Sequence, residues 1–260
     1  MPFVETSGQR LYYEDSGGAG PAVAFSHGFL LDHSMFDAQV AALSGDFRCI
    51  TWDERGHGMS DCNGSFDFYD SANDLVAILD DAGVDRATLV GMSQGGFLSQ
   101  RLAVNYPDRV RALVLIDTAA ALFSAEELAG YQAMADAWTG AGPVGELSDQ
   151  MAGLLFGPDY DASAWIGKWR SKPPADTLEP WRAVLGRDEF LDKLGSIACP
   201  SLVVHGTDDG AFPVAVAEGL RDHLGDCKGL VLVDGAHHAP NVTHPEAVND
   251  ALRKFLTQHA

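Results

Sequence analysis

The chain is poor in cations, in cysteines and in long apolar runs, and each shortage closes off a class of function. Lys and Arg number 17 against 37 Asp and Glu, a formal net charge of −20 over 260 residues. Phosphate backbones are held by basic side chains, so no nucleic-acid partner is expected. An anionic membrane surface is disfavoured for the same reason. No apolar run reaches the roughly 18 residues that a membrane span needs. The opening residues, Met1 to Thr6, show no basic stretch leading into an apolar one, so no signal peptide is expected. The four cysteines, Cys49, Cys62, Cys199 and Cys227, are scattered and form no C-x-x-C pair. They are too few for a disulfide scaffold and lack metal-ligand spacing. The expectation is a reduced, cytoplasmic protein with no metal and no cofactor.

Apolar material is ample. At 46% hydrophobic residues the chain can bury a sizeable core, and its length allows one large domain or two small ones. Short β-rich runs cover residues 10–14, 22–26, 47–52, 87–91, 112–116, 201–205 and 230–233. Most are apolar on both faces, as strands of a parallel sheet covered by helices should be. Helical patterns lie between them, at about 71–81, 94–106, 214–224 and 245–256. Gly83 stops the first and Pro107 the second. This alternation predicts a doubly wound, mostly parallel α/β sheet.

Residues 119–195 break the rhythm. They carry Trp138, Trp165, Trp169 and Trp181, four of the five tryptophans, and no convincing strand. The expected organisation is a core domain of 1–118 and 196–260 with 119–195 inserted as a helical cap.

The chemistry concentrates in three loops. Gly91-Met92-Ser93-Gln94-Gly95-Gly96 follows a buried strand and opens a helix, the context a G-x-S-x-G nucleophile elbow requires. Glycines flank the serine because side chains would clash in so tight a turn. A serine hydroxyl needs a base at neutral pH. Of nine histidines, His27, His57 and His205 sit in strand-end positions suited to structural hydrogen bonds. The adjacent pair His237 and His238 follows the last strand, and only one of the two can face the serine. The base in turn needs an acid to fix its tautomer. Asp208 and Asp209 lie after residue 205, and Asp117 ends the 112–116 strand. Donors for an oxyanion are the backbone N–H of Gln94 and that of Phe29 in the His27-Gly28-Phe29-Leu30 loop.

Together these residues resemble the α/β-hydrolase superfamily, and within it the small capped serine hydrolases: carboxylesterases, cofactor-free haloperoxidases (perhydrolases) and 3-oxoadipate enol-lactonases. The resemblance rests on five segments in order. They are His27-Gly28-Phe29, the D-x-R-G-x-G-x-S loop of Asp53 to Ser60, the elbow at Gly91 to Gly95, Gly206 to Pro213 as G-x-x-D-x-x-x-P, and Gly235-Ala236-His237-His238 as G-x-G-H. It implies eight strands and a triad of Ser93, Asp209 and His238, selecting Asp209 over Asp208 and His238 over His237. Leu30 stands where haloperoxidase-like members usually have proline, and His27-Gly28 where enol-lactonases usually have a serine-asparagine type loop. A serine at the elbow argues against the dehalogenases and epoxide hydrolases of this fold, which use aspartate.

The expected function is hydrolysis of small to medium apolar carboxylic esters through an acyl-enzyme, with Phe29, Trp138 and Phe212 lining the substrate site. The expected partners are a small ester and water, and a homodimer is allowed. Lactonase or perhydrolase chemistry with the same triad is the alternative. A ligand-binding member with negligible turnover is the alternative of another class. Acidic residues such as Asp80, Asp81, Asp159, Asp161, Asp188 and Glu189 are expected on the surface, in a field that favours neutral esters.

Overall fold

The structure, a computed structural model, describes residues 3–260. Eight strands form one sheet. They are β1 (Phe3–Thr6), β2 (Gln9–Asp15), β3 (Ala22–Ser26), β4 (Arg48–Trp52), β5 (Ala87–Met92), β6 (Val110–Ile116), β7 (Ser201–Gly206) and β8 (Cys227–Val233). Their order is β1-β2-β4-β3-β5-β6-β7-β8. The β1–β2 and β2–β4 pairs are antiparallel, and the pairs from β4 onward are parallel. The doubly wound, mostly parallel sheet expected from the alternation is therefore present. β1 escaped the sequence reading because it is short, with three half-buried residues and an exposed Glu5, and has no clean alternation. It is held as a hairpin by Ser7 and Gly8, both at positive φ.

Helices cover both faces. They are α1 (Asp37–Leu43), α2 (Phe68–Asp81), α3 (Gln94–Asn105), α4 (Ala125–Ala141), α5 (Glu146–Phe156), α6 (Ser163–Ser171), α7 (Leu178–Leu185), α8 (Val214–His223), α9 (Pro240–Thr243) and α10 (Pro245–His259). The two-residue period of the strands splits the core in two. Val23, Phe25, Val90 and Val114 face α10 through Val248, Leu252 and Phe255. Ala24, Ile50, Leu89 and Leu113 face α2 and α3 through Leu75, Ile78, Leu98 and Leu102. Helix α2 begins at a reciprocal capping box between Asp67 and Asp70. The loop after β4 is locked to α2 by a buried two-pronged ion pair, Arg55 Nε to Asp74 Oδ2 at 2.6 Å and Nη2 to Oδ1 at 2.9 Å.

Between β6 and β7 the chain forms α4 to α7 and no strand. Its four tryptophans are all buried. Trp138 packs edge-on against Trp169 and Trp181, with ring centroids 5.7 and 6.4 Å apart. Trp169 Nε1 donates to the Leu30 carbonyl at 2.7 Å, which ties α6 to the loop after β3. Among the described residues no helix is long and apolar enough to cross a membrane.

Candidate active site

Ser93 sits between β5 and α3 at φ 51° and ψ −115°, a conformation that a residue with a Cβ rarely adopts. The surroundings hold it there. The Ser93 N–H donates to the Ile116 carbonyl at 2.9 Å, and Thr118 Oγ1 donates to the Ser93 carbonyl at 2.7 Å. The flanking glycines are required by contact. A Cβ on Gly91 would collide with the Gly95 carbonyl, one on Gly95 with the Ser26 carbonyl, and one on Gly96 with Thr118. The backbone of β3, the elbow and the start of α3 therefore meet at distances only glycine permits.

His238 Nε2 lies 2.9 Å from Ser93 Oγ. His238 Nδ1 lies 3.0 and 2.9 Å from the two Asp209 oxygens. With Nδ1–H donating to the carboxylate, Nε2 is left to accept the serine proton. Asp209 also accepts the N–H groups of Ala211 at 2.8 Å and Phe212 at 3.1 Å. Burial opposes its ionisation. The charge and hydrogen bond of His238, with help from Asp117 and the Ala211 N–H, overcome this and bring its carboxyl down to about 2.

The neighbouring candidates fall elsewhere. Asp208 is exposed, and His237 turns toward Gly157, away from the serine. Asp117 is fully buried behind Asp209, where it accepts the Gly206 N–H at 2.9 Å. Burial and the adjacent Asp209 charge push its carboxyl well above the usual range. The strand-end histidines do make structural bonds. His27 Nε2 accepts the Glu54 N–H at 2.9 Å, and His205 Nε2 meets the Phe212 carbonyl at 2.8 Å. Glu54, buried beside Gln94 and Ser71, is pushed by desolvation up to about 8.

Phe29 and Gln94 both line the cavity that reaches Ser93 and His238. Among the described residues no acceptor takes up either backbone N–H. Gln94 opens α3, so the positive end of that helix faces the serine. The cavity is small, about 50 Å³, and apolar, with Met92, Phe97, Phe123, Tyr131, Leu155 and Trp181 in its walls. Phe212 also lines it, 5.5 Å from His238 ring to ring. Trp138 does not. It is buried one layer back, behind Trp181, so the tryptophan at the cavity is Trp181. Sequence pattern offers four tryptophans in one helical segment and no signal for which one faces inward. The packing of Trp181 on Phe29, with ring centroids 4.5 Å apart, decides it.

The family described as the alpha/beta hydrolase fold matches residues 21–245. A 3-oxoadipate enol-lactonase of Acinetobacter baylyi is 28% identical over 245 residues, covering 91% of this chain and 88% of the lactonase. A pimeloyl-[acyl-carrier protein] methyl ester esterase of Nitrosomonas europaea is 28% identical over 253 residues, covering 89% of this chain and 94% of the esterase. Among solved structures, a thermophilic esterase from Thermogutta terrifontis with malate bound superimposes with a TM-score of 0.86 at 29% identity. That match covers 100% of this chain and 98% of the esterase.

Proposed function

The chain belongs to the alpha/beta hydrolase fold family, and on that footing we propose that it hydrolyses carboxylic esters with Ser93 as nucleophile. The observation that carries the proposal is the continuous hydrogen-bonded line from Ser93 Oγ through His238 to Asp209. His238 takes the serine proton as Oγ adds to the ester carbonyl. The oxyanion is received by the Phe29 and Gln94 N–H groups, each worth roughly 3–4 kcal/mol in the transition state. The tetrahedral intermediate collapses, and His238 returns the proton to the departing alcohol. Water, deprotonated by the same imidazole, then releases the acid from Ser93.

Asp209 stays ionised throughout, holding the tautomer and balancing the imidazolium. The helical segment 119–195 acts as a cap whose aromatic side chains close the site from above, so the substrate is apolar and of small to medium size. The chemistry uses water and the ester alone, with no cofactor.

A second reading is a lactonase, because an enol-lactonase stands among the relatives. A lactone is an internal ester and passes through the same steps. A panel of p-nitrophenyl esters, together with fluorophosphonate labelling of Ser93, tests the mechanism. Turnover that is lost in Ser93→Ala supports it, and the absence of both turnover and labelling overturns it. Faster opening of lactones than of open-chain esters favours the second reading.

A further inference from the structure

The cavity at Ser93 holds about 50 Å³. Small-molecule sites typically offer about 300–1,000 Å³, so this one accepts a few waters and no ester beyond the smallest. A working site must therefore open somewhere.

Trp181 marks the place. Its indole lines the Ser93 cavity on one side. On the other it lines a separate groove of about 690 Å³ between α4 and α7, bordered by Leu128, Ala129, Ala135, Leu178 and Leu185. Among the described residues no other is shared by the two. The ring is buried, yet its Nε1 has no hydrogen-bond partner among the described residues. It packs in the apolar core, against Phe29 and Trp138 among others, so rotation about its side-chain bonds costs packing but breaks no side-chain hydrogen bond. The groove beyond mixes apolar side chains with Gln132, Asp136, Thr139 and Arg182, and Leu128 stands 39% exposed there.

The direction of the substrate follows from the chemistry. The leaving oxygen must lie within reach of His238 Nε2, so the alcohol occupies the end of the cavity near His238 and Phe212. The acyl portion then points to the opposite end, where Phe29 and Trp181 stand. We propose that Trp181 is a gate and the specificity-determining residue for acyl length: when its indole swings aside, the Ser93 cavity joins the α4–α7 groove, which receives the acyl chain of a medium-length ester. This rests on the esterase reading above. In the closed position Trp181 limits the site to short acyl groups.

The test is the ratio of kcat/KM for p-nitrophenyl octanoate to that for the acetate. Each methylene in an apolar pocket is worth about tenfold or more in discrimination. Trp181→Ala should therefore raise the ratio by about tenfold or more, and Trp181→Phe, which keeps an aromatic ring in the packing, by a smaller factor. Adding Leu128→Glu to Trp181→Ala replaces an apolar wall of the groove with a carboxylate in addition to Asp136 and should return the ratio toward wild type. A ratio within about twofold of wild type in both Trp181 variants, with acetate still hydrolysed, overturns the gate. A rise that survives Leu128→Glu overturns the groove as the acyl site. Absence of acetate turnover in the wild type removes the esterase reading and this proposal with it, a result distinct from an unchanged ratio.

Discussion

Asp117 stands directly behind Asp209, at φ 41° and with no exposed surface, so two carboxyl groups share one buried corner with His205. Two adjacent buried carboxylates cannot both be charged. The environment separates them. Asp209 has His238 and two backbone N–H groups and falls to about 2, while Asp117 has only the Gly206 N–H and rises well above the usual range. The environment thus favours placing the proton of the pair on Asp117, as the neutral neighbour of Asp209. Asparagine imitates a neutral acid in shape and still donates. Asp117→Asn should hold kcat within about tenfold of wild type, whereas Asp209→Asn should lose about 10⁴-fold by presenting the wrong partner to His238. Steady-state kinetics of both variants check this, and the reverse ranking would make Asp117 the acid of the triad.

Strain at Ser93 gives a second expectation. A serine at φ 51° and ψ −115° stores about 1–3 kcal/mol that glycine would release. Ser93→Gly should therefore abolish hydrolysis and raise stability. For a chain of this size about 1 kcal/mol corresponds to roughly 2–4 °C in Tm. Scanning calorimetry reads the shift. A lower Tm would mean that the hydroxyl contributes more to stability than the backbone strain costs.

Glu54 carries a pH signature. Its carboxyl rises from 4.5 to about 8 because burial penalises the charged form. Between those two values the folded chain keeps this proton and the unfolded chain loses it. The unfolded state then binds fewer protons, and stability falls as pH rises, by up to about 1.4 kcal/mol per unit from this group. The contribution is fully present below pH 4.5 and exhausted above pH 8. Glu54→Gln removes the dependence. Urea unfolding at pH 5 and pH 8 should show the variant gaining on wild type as pH climbs. Parallel curves would mean that Glu54 is already charged in the folded protein.

The elbow and the two loops that bring Asp209 and His238 to Ser93 were legible in the sequence because their geometry is set by short-range constraints. Glycines at 91 and 95 are demanded by backbone contact, and a strand followed by a helix leaves the serine one position to occupy. The core strands were legible for a similar reason, since burial on both faces leaves an apolar run of five to seven residues. The boundary strand β1 and the short helix α1 lack such a signature. The lining of the cavity was legible only in part. Phe29 and Phe212 sit beside motif residues and were found with them. Trp181 is placed by packing between segments distant in sequence, and a rotation of α7 by about 100°, one residue's step, would have brought another side chain to its place.

The net charge of −20 yields a last expectation, sharpened by the structure. Part of the negative field is already spent in pairs. Asp188 meets Arg101 and Lys193, and Asp80 meets Arg109. Pairs on the surface contribute little beyond their own vicinity. At the cavity the reason to exclude anions is instead desolvation, because among the described residues its walls carry no lysine or arginine. Arg187 lies 3.8 Å from the Phe123 ring centre without itself lining the cavity. An anionic acyl group would lose its hydration there and gain no counter-ion. A neutral ester should therefore outpace its hemisuccinate analogue in kcat/KM by at least about tenfold. The two effects separate by salt. Surface repulsion is screened with a Debye length of about 10 Å at 0.1 M and about 3 Å at 1 M, while the desolvation cost in a buried cavity is not. If desolvation dominates, the preference for the neutral ester survives at 1 M salt nearly undiminished. If it collapses there, the surface charge sets the preference. Equal rates at low salt would remove both effects and leave the negative charge as a feature of solubility.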